Sequence, residues 1–163
     1  MKKNKVIKAA LYLRVPPSDG TPAELLKIEE SFLEQEKVCR KFCQSQNIEV
    51  NEDHVYRDVC EGDESFHFRE GLGELIYAPT KARGCDIVVI SRLDRLARRT
   101  KTLLEILNEF ELENVGIRSA TEPFGLTTKD GFMVTLLNVM SKMERDIIKA
   151  RGQCHCCDCS VCV

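Results

Sequence analysis

The sequence predicts an α/β domain built on an open, mostly parallel sheet of four to five strands, with helices on both faces and a long C-terminal helix. Apolar runs that suit strands alternate with segments whose apolar residues recur at helical spacing, in the order βαβαβαβα, the signature of a sheet with helical crossovers. The clearest strand, Asp86 to Ser91, is apolar on both faces, as a central parallel strand is. At 163 residues, 43% hydrophobic and 31% charged, the chain has the size and composition of a single globular domain with a substantial core.

Each element has its own grounds. Val6 to Val15 reads as a buried strand, ended by Pro16-Pro17-Ser18-Asp19-Gly20, because proline fixes φ and brings no ladder donor. Thr21 is a candidate N-cap, Pro22 suits a first helical position and Glu24 falls in the first turn. From there Leu25, Ile28, Phe32, Cys39 and Phe42 make an apolar stripe that carries a helix to about Gln46. Ile48 to Tyr56 is a second strand, Asp58 to Phe68 a polar loop, and Arg69 to about Arg83 a helix despite Pro79. After the 86–91 strand come a helix at Thr100–Asn114, a short strand at Val115–Ala120 and a loop at Thr121–Leu126.

The final helix starts at Thr127 or Thr128 and runs to about Arg151, with Phe132, Leu136, Met140, Met143 and Ile147 in one stripe and Val134, Leu137 and Ile148 widening it. About 24 residues reach roughly 36 Å, more than a small sheet needs. Its outer half is expected to pack on a partner chain; the other reading is a core helix with a frayed end. Residues 1–151 therefore form one domain and 152–163 a separate tail.

The formal net charge is −2, so overall charge does not announce a nucleic-acid binder and any such affinity must come from a patch. No apolar run reaches the roughly 18 residues a membrane span requires. The basic start, Met1 to Lys5, precedes a stretch interrupted by Lys8 and Arg14, which reads as a strand and not a signal core. The expected location is the cytoplasm. There Cys39, Cys43, Cys60 and Cys85 are expected to act as small buried hydrophobes.

The patch lies at residues 81–101: Lys81, Arg83, Arg92, Arg95, Arg98, Arg99 and Lys101 face only Asp86 and Asp94. Guanidinium groups fixed at the end of a buried strand can hold a phosphate bidentately, which makes a phosphodiester the first substrate to consider. Residues 1–151 carry no metal-site pattern, since His54 and His67 are isolated and no carboxylate cluster suits two metals. No cofactor is expected. The tail spaces Cys154, Cys156, Cys159 and Cys162 as zinc or Cu(I) ligands could be. It is one short continuous segment, however, and the preferred reading is a disordered extension.

Five phrases in order resemble the serine recombinases, the resolvase/invertase family. They are Tyr12-Leu13-Arg14-Val15, Ser31-Phe32-Leu33-Glu34-Gln35, Asp58 with Gly62 and Phe68-Arg69-Glu70-Gly71-Leu72, Leu93-Asp94-Arg95-Leu96-Ala97-Arg98, and Met143-Glu144-Arg145-Asp146-Ile147-Ile148. The resemblance spans about residues 6–151 and implies an N-terminal catalytic domain whose 128–151 helix forms homodimers or tetramers on double-stranded DNA. It implies metal-independent chemistry, with a serine attacking the scissile phosphate to give a 5′-phosphoserine link and a free 3′-hydroxyl. Such chemistry needs cations on the non-bridging oxygens and a route for the proton. The resemblance assigns these roles to Arg14, Arg69, Lys81, Arg95 and Arg98, with Asp94 orienting arginines or moving a proton, and Gln35 and Asp58 in support.

Each assignment has a plainer alternative. Arg14, Lys81, Arg95 and Arg98 could be solvated surface charges, Asp58 a loop cap, and Gln35 a structural hydrogen-bonding residue. The family sets its serine directly after Arg-Val, where this chain has Pro16. Ser18 is the replacement candidate, but two residues of extended chain displace a group by about 6–7 Å. No helix-turn-helix fits in the tail, so the expectation is a catalytic domain alone that binds DNA weakly in isolation. The competing expectations are a non-catalytic dimerising remnant that regulates an intact recombinase, and a small metal-binding protein acting through the tail.

Overall fold

The computed structural model of the chain describes residues 6–62, 66–77, 85–113, 115–122 and 125–126. Lys81, the 128–151 segment and the cysteine-rich tail lie outside them. Within them the chain forms β1 (Ile7–Val15), α1 (Pro22–Ser45), β2 (Ile48–Val59), α2 (Glu70–Tyr77), β3 (Ile87–Ile90), α3 (Leu93–Leu96), α4 (Thr100–Leu112), β4 (Gly116–Ser119) and β5 (Gly125–Leu126). A single 3₁₀ turn at Phe66–Phe68 precedes α2.

The five strands lie in the order β2-β1-β3-β4-β5. All neighbours are parallel except the last pair, β4 and β5. The predicted mostly parallel sheet is therefore present, with one correction. Residues 125–126 add a short antiparallel edge where a loop was expected.

Alternation along the strands sorts the core into two layers. Ala9, Leu11, Leu13, Val15, Ile87 and Val89 face α1, meeting Phe32, Cys39 and Cys43. Ala10, Tyr12, Val88, Ile90 and Ile117 face the other way, against Leu72 and Leu75 of α2, Leu93 and Leu96 of α3, and Leu103, Ile106 and Phe110 of α4. Each valine, leucine, isoleucine and phenylalanine among them contributes about 1.5–3 kcal/mol on burial, and β3, buried on both faces, is apolar throughout. Cys39, Cys43, Cys60 and Cys85 are all buried thiols, as expected.

Three local details depart from the sequence reading. Leu25 is exposed, so the apolar stripe of α1 begins one turn later. Thr21 stands at the N-cap with extended backbone, but its hydroxyl makes no capping bond. Its carbonyl takes the Glu24 and Leu25 N–H groups instead. The strand β2 runs past Tyr56 to Val59, taking Asp58 out of the expected loop. Helix α1 closes where Asn47 enters the left-handed region at φ 53°, which asparagine tolerates better than most residues.

Candidate active site at the carboxyl edge of the sheet

Parallel strands present their carboxyl ends on one edge, and ligands gather where the strand order reverses. Here β1 lies between β2 and β3, with α1 on one face and α2 on the other, so the switch point is at the ends of β1 and β3. Arg14 stands at the end of β1, and Ser91 directly follows β3. The one-turn helix α3 then carries Asp94 and Arg95 over that edge, and Ala97, extended at φ −155°, releases the chain toward Arg98.

Arg14 is fully buried, yet each of its three guanidinium bonds is to a backbone carbonyl. Its Nε donates to the Arg95 carbonyl at 2.8 Å, Nη1 to the Cys60 carbonyl at 2.9 Å and Nη2 to the Asp94 carbonyl at 2.7 Å. Arg69, just before α2, is equally buried. It donates from Nη1 to the Leu96 carbonyl and from Nη2 to the Gly62 carbonyl at 3.1 Å. Two guanidinium groups thus fasten residues 60–62 to the α3 turn. Burial pulls Arg14 below its ordinary value; nearby Arg98 and Arg69 act the same way, while Cys60 and Tyr12 oppose them.

Gly62 sits where these groups converge. A Cβ there would stand 2.7 Å from Arg98 Cγ and 2.8 Å from Arg14 Nη2. The Gly62 carbonyl also accepts the Arg98 N–H at 2.9 Å. Only glycine permits this approach.

Asp58 anchors the other side. Its Oδ1 accepts the Gly71 N–H at 2.8 Å, and its Oδ2 accepts the Leu72 N–H at 2.9 Å and the Tyr12 hydroxyl at 3.0 Å. It therefore caps the first turn of α2 and ties that helix to β1. Burial, and then the Asp58 charge, raise Tyr12 far above an ordinary phenol, so it stays a neutral donor. Gln35 reaches from α1 to hold the strand end: its Nε2 donates to the Arg14 carbonyl at 3.1 Å and its Oε1 accepts the Arg14 N–H at 3.4 Å. The Ser91 hydroxyl donates to the same Oε1 at 3.5 Å.

The outward cations are different residues. Arg92, Arg95 and Arg98 expose 60%, 26% and 51% of their side chains. Asp94 lies between the first two, its Oδ1 3.6 Å from Arg92 Nε and 3.8 Å from Arg95 Nε. Among the described residues that oxygen is buried without a hydrogen-bond partner. Glu61 stands 3.6 Å from Arg98 Nη1.

Of the residues singled out in the sequence, Arg14, Gln35, Asp58, Arg69, Asp94, Arg95 and Arg98 assemble on this edge. Ser18 does not join them through any bond among the described residues; it is exposed in the turn after β1, where its Oγ accepts the Gly20 N–H at 3.4 Å. Lys81 and the tail cysteines lie outside the described residues. Sequence reasoning passed over Tyr12, Gly62 and Arg92 as site residues, although all three stand in the quoted motifs or in the basic cluster. Tyr12 and Gly62 are marked by contact between distant segments, which no local pattern displays, and Arg92 by its exposed place beside Asp94.

Comparison with known proteins bears on the family and the fold. The family model described as Resolvase, N terminal domain, matches residues 9–154. A probable DNA-invertase y4cG of Sinorhizobium fredii is 36% identical over 67 residues, covering 40% of this chain and 22% of that protein. The transposon Tn3 resolvase of Escherichia coli is 30% identical over 106 residues, covering 63% of this chain and 53% of the resolvase. The chain thus spans about half or less of the length of these relatives. Among solved structures, the N-terminal catalytic domain of TP901-1 integrase superposes with a TM-score of 0.63 at 21% identity, covering 86% of this chain and 98% of that one; this likeness is one of fold. With the family model spanning most of its length, the chain belongs to the resolvase N-terminal domain family.

Proposed function

We propose that this domain binds the phosphodiester backbone of double-stranded DNA at the carboxyl edge of its sheet, as the strand-cleaving unit of a site-specific recombinase. The observation that carries the reading is the division of labour among the arginines. Arg14 and Arg69 are committed to carbonyls and build the frame. Arg95 and Arg98 are held by that frame with their side chains reaching solvent. A preorganised cation pair of this kind stabilises charge developing on phosphoryl oxygens, with Asp94 beside Arg95 and Glu61 beside Arg98. Assembly into a dimer or tetramer through residues 128–151 belongs to the same proposal.

Pro16 stands where the family carries its serine, and Ser18, two residues on, is turned to Gly20. Attack by Ser18 would form an Oγ–phosphorus bond as the phosphorus–O3′ bond breaks, with the serine proton passing to the departing 3′ oxygen, and the reverse step would undo it. It requires the 16–20 turn to fold over the arginines, since near-attack geometry places reacting atoms about 3–3.5 Å apart. A suicide DNA substrate decides the matter. A covalent protein–DNA adduct that Ser18→Ala abolishes is the expected result. DNA binding without any adduct would leave a phosphate-binding domain that does not cut.

A further inference from the structure

At the opposite end of the sheet from the arginines, a thiol and an imidazole meet. Cys85 Sγ lies 3.0 Å from His54 Nδ1, and both residues are buried. The approach is made at an irregularity in the ladder: Ala9 pairs with Val50 and Leu11 with Val55, so the register shifts across residues 51–54 of β2, which bulge out of the ladder. His54 ends that bulge, and from β2 it reaches past the central strand β1 to Cys85, just ahead of β3. Bulges commonly re-aim a side chain in this way.

At 3.0 Å one hydrogen lies between the two atoms. With the imidazole neutral and protonated on Nε2, the thiol donates to Nδ1, and transfer along that bond gives a thiolate beside an imidazolium. A nucleophile with a base in hydrogen-bond reach is the arrangement that activates cysteine. Burial works against ionisation of a thiol, and it pushes Cys39 and Cys43 up to about 12 and about 11. Among the described residues no group of three or more metal-ligating side chains occurs, so the chemistry on offer here is that of the thiol itself.

We propose that Cys85, with His54 as its proton acceptor, is a modification site for small oxidants of the peroxide class. The Cys85 sulfur attacks one oxygen of hydrogen peroxide and the O–O bond breaks. The departing hydroxide takes the proton held by His54 and leaves as water. Cys85 becomes a sulfenic acid, oxidised by two electrons as the peroxide is reduced. Cys85 packs in the layer under α2 and α4, so an added oxygen strains a close-packed site and loosens the bulge from β3.

The test is peroxide treatment of the full chain with a dimedone-type sulfenic acid trap, read by peptide mass spectrometry at Cys39, Cys43, Cys60 and Cys85. Because a positioned base accelerates such a step by about tenfold or more, Cys85 should be trapped at least that much faster than Cys39 and Cys43. His54→Gln should remove the advantage at Cys85 and leave the Cys60 rate unchanged. A Cys85 rate equal to that of Cys39 and Cys43 overturns the proposal. So does an unchanged Cys85 rate in a His54→Gln protein that keeps the parent melting curve. Should that variant not fold, the ratio between cysteines in the parent chain decides alone.

Discussion

Replacing Arg14 by methionine separates framing from phosphate binding. Methionine keeps an unbranched side chain but removes all three donors, leaving the carbonyls of Cys60, Asp94 and Arg95 without them. An orphaned buried acceptor costs about 1–3 kcal/mol. The bond to Cys60 is fully buried, whereas the two to α3 are partly reached by solvent, so those two fall at the low end. Removing a buried charge returns some of its desolvation cost, which the lowered Arg14 value records. The net expectation is a loss of about 3 kcal/mol. At about 2–4 °C per kcal/mol for a chain of this size, that is a drop in Tm of roughly 6–12 °C. The companion assay is DNA affinity against salt, below the variant's melting range. Each phosphate contact contributes about 0.9 to the slope of log K against log salt. Arg98→Ala should lower that slope by about one contact, and Arg14→Met should leave it as in the parent. A folded Arg14→Met protein melting within about 2 °C of the parent while losing one contact of slope would refute the reasoning.

Two further outcomes follow from the same geometry. Gly62→Ala places a methyl against Nη2 of the Arg14 guanidinium, which three carbonyls hold in place, and against Arg98 Cγ and Cδ, which can swing outward; thermal melting should show a loss of about 1–3 kcal/mol, with DNA affinity reduced as Arg98 is displaced. At Glu36, burial pushes the carboxyl up, but bonds from Arg40 and Arg57 outweigh it and hold the group below its ordinary value. A depressed carboxylate stabilises the fold above its unfolded value and loses that contribution as pH falls through the folded one. The Tm difference between the parent and Glu36→Gln should therefore be constant near neutrality and shrink as pH drops below about 4.

What the sequence alone determined is the architecture and the roster. The unbroken apolar run Ile87-Val88-Val89-Ile90 declared a central parallel strand, because only burial on both faces tolerates it. The Pro16-Pro17 stop bounded the first strand for an equally local reason. The motifs named Arg14, Asp58, Arg69, Asp94, Arg95 and Arg98 before any contact was known. Tertiary structure decided what those residues do. Arg14 lies 80 residues from Asp94, and no spacing along the chain reveals that its guanidinium ends on backbone carbonyls and not on solvent. The same holds for Asp58, placed by sequence in a loop and found capping α2 from inside a strand. The 125–126 edge strand was equally hidden, since two residues carry no periodicity to read. Local rules fix where elements start and stop; the partners of a buried charge are settled only when segments distant in sequence close on one another, because burying it costs far more than its own neighbours can offset.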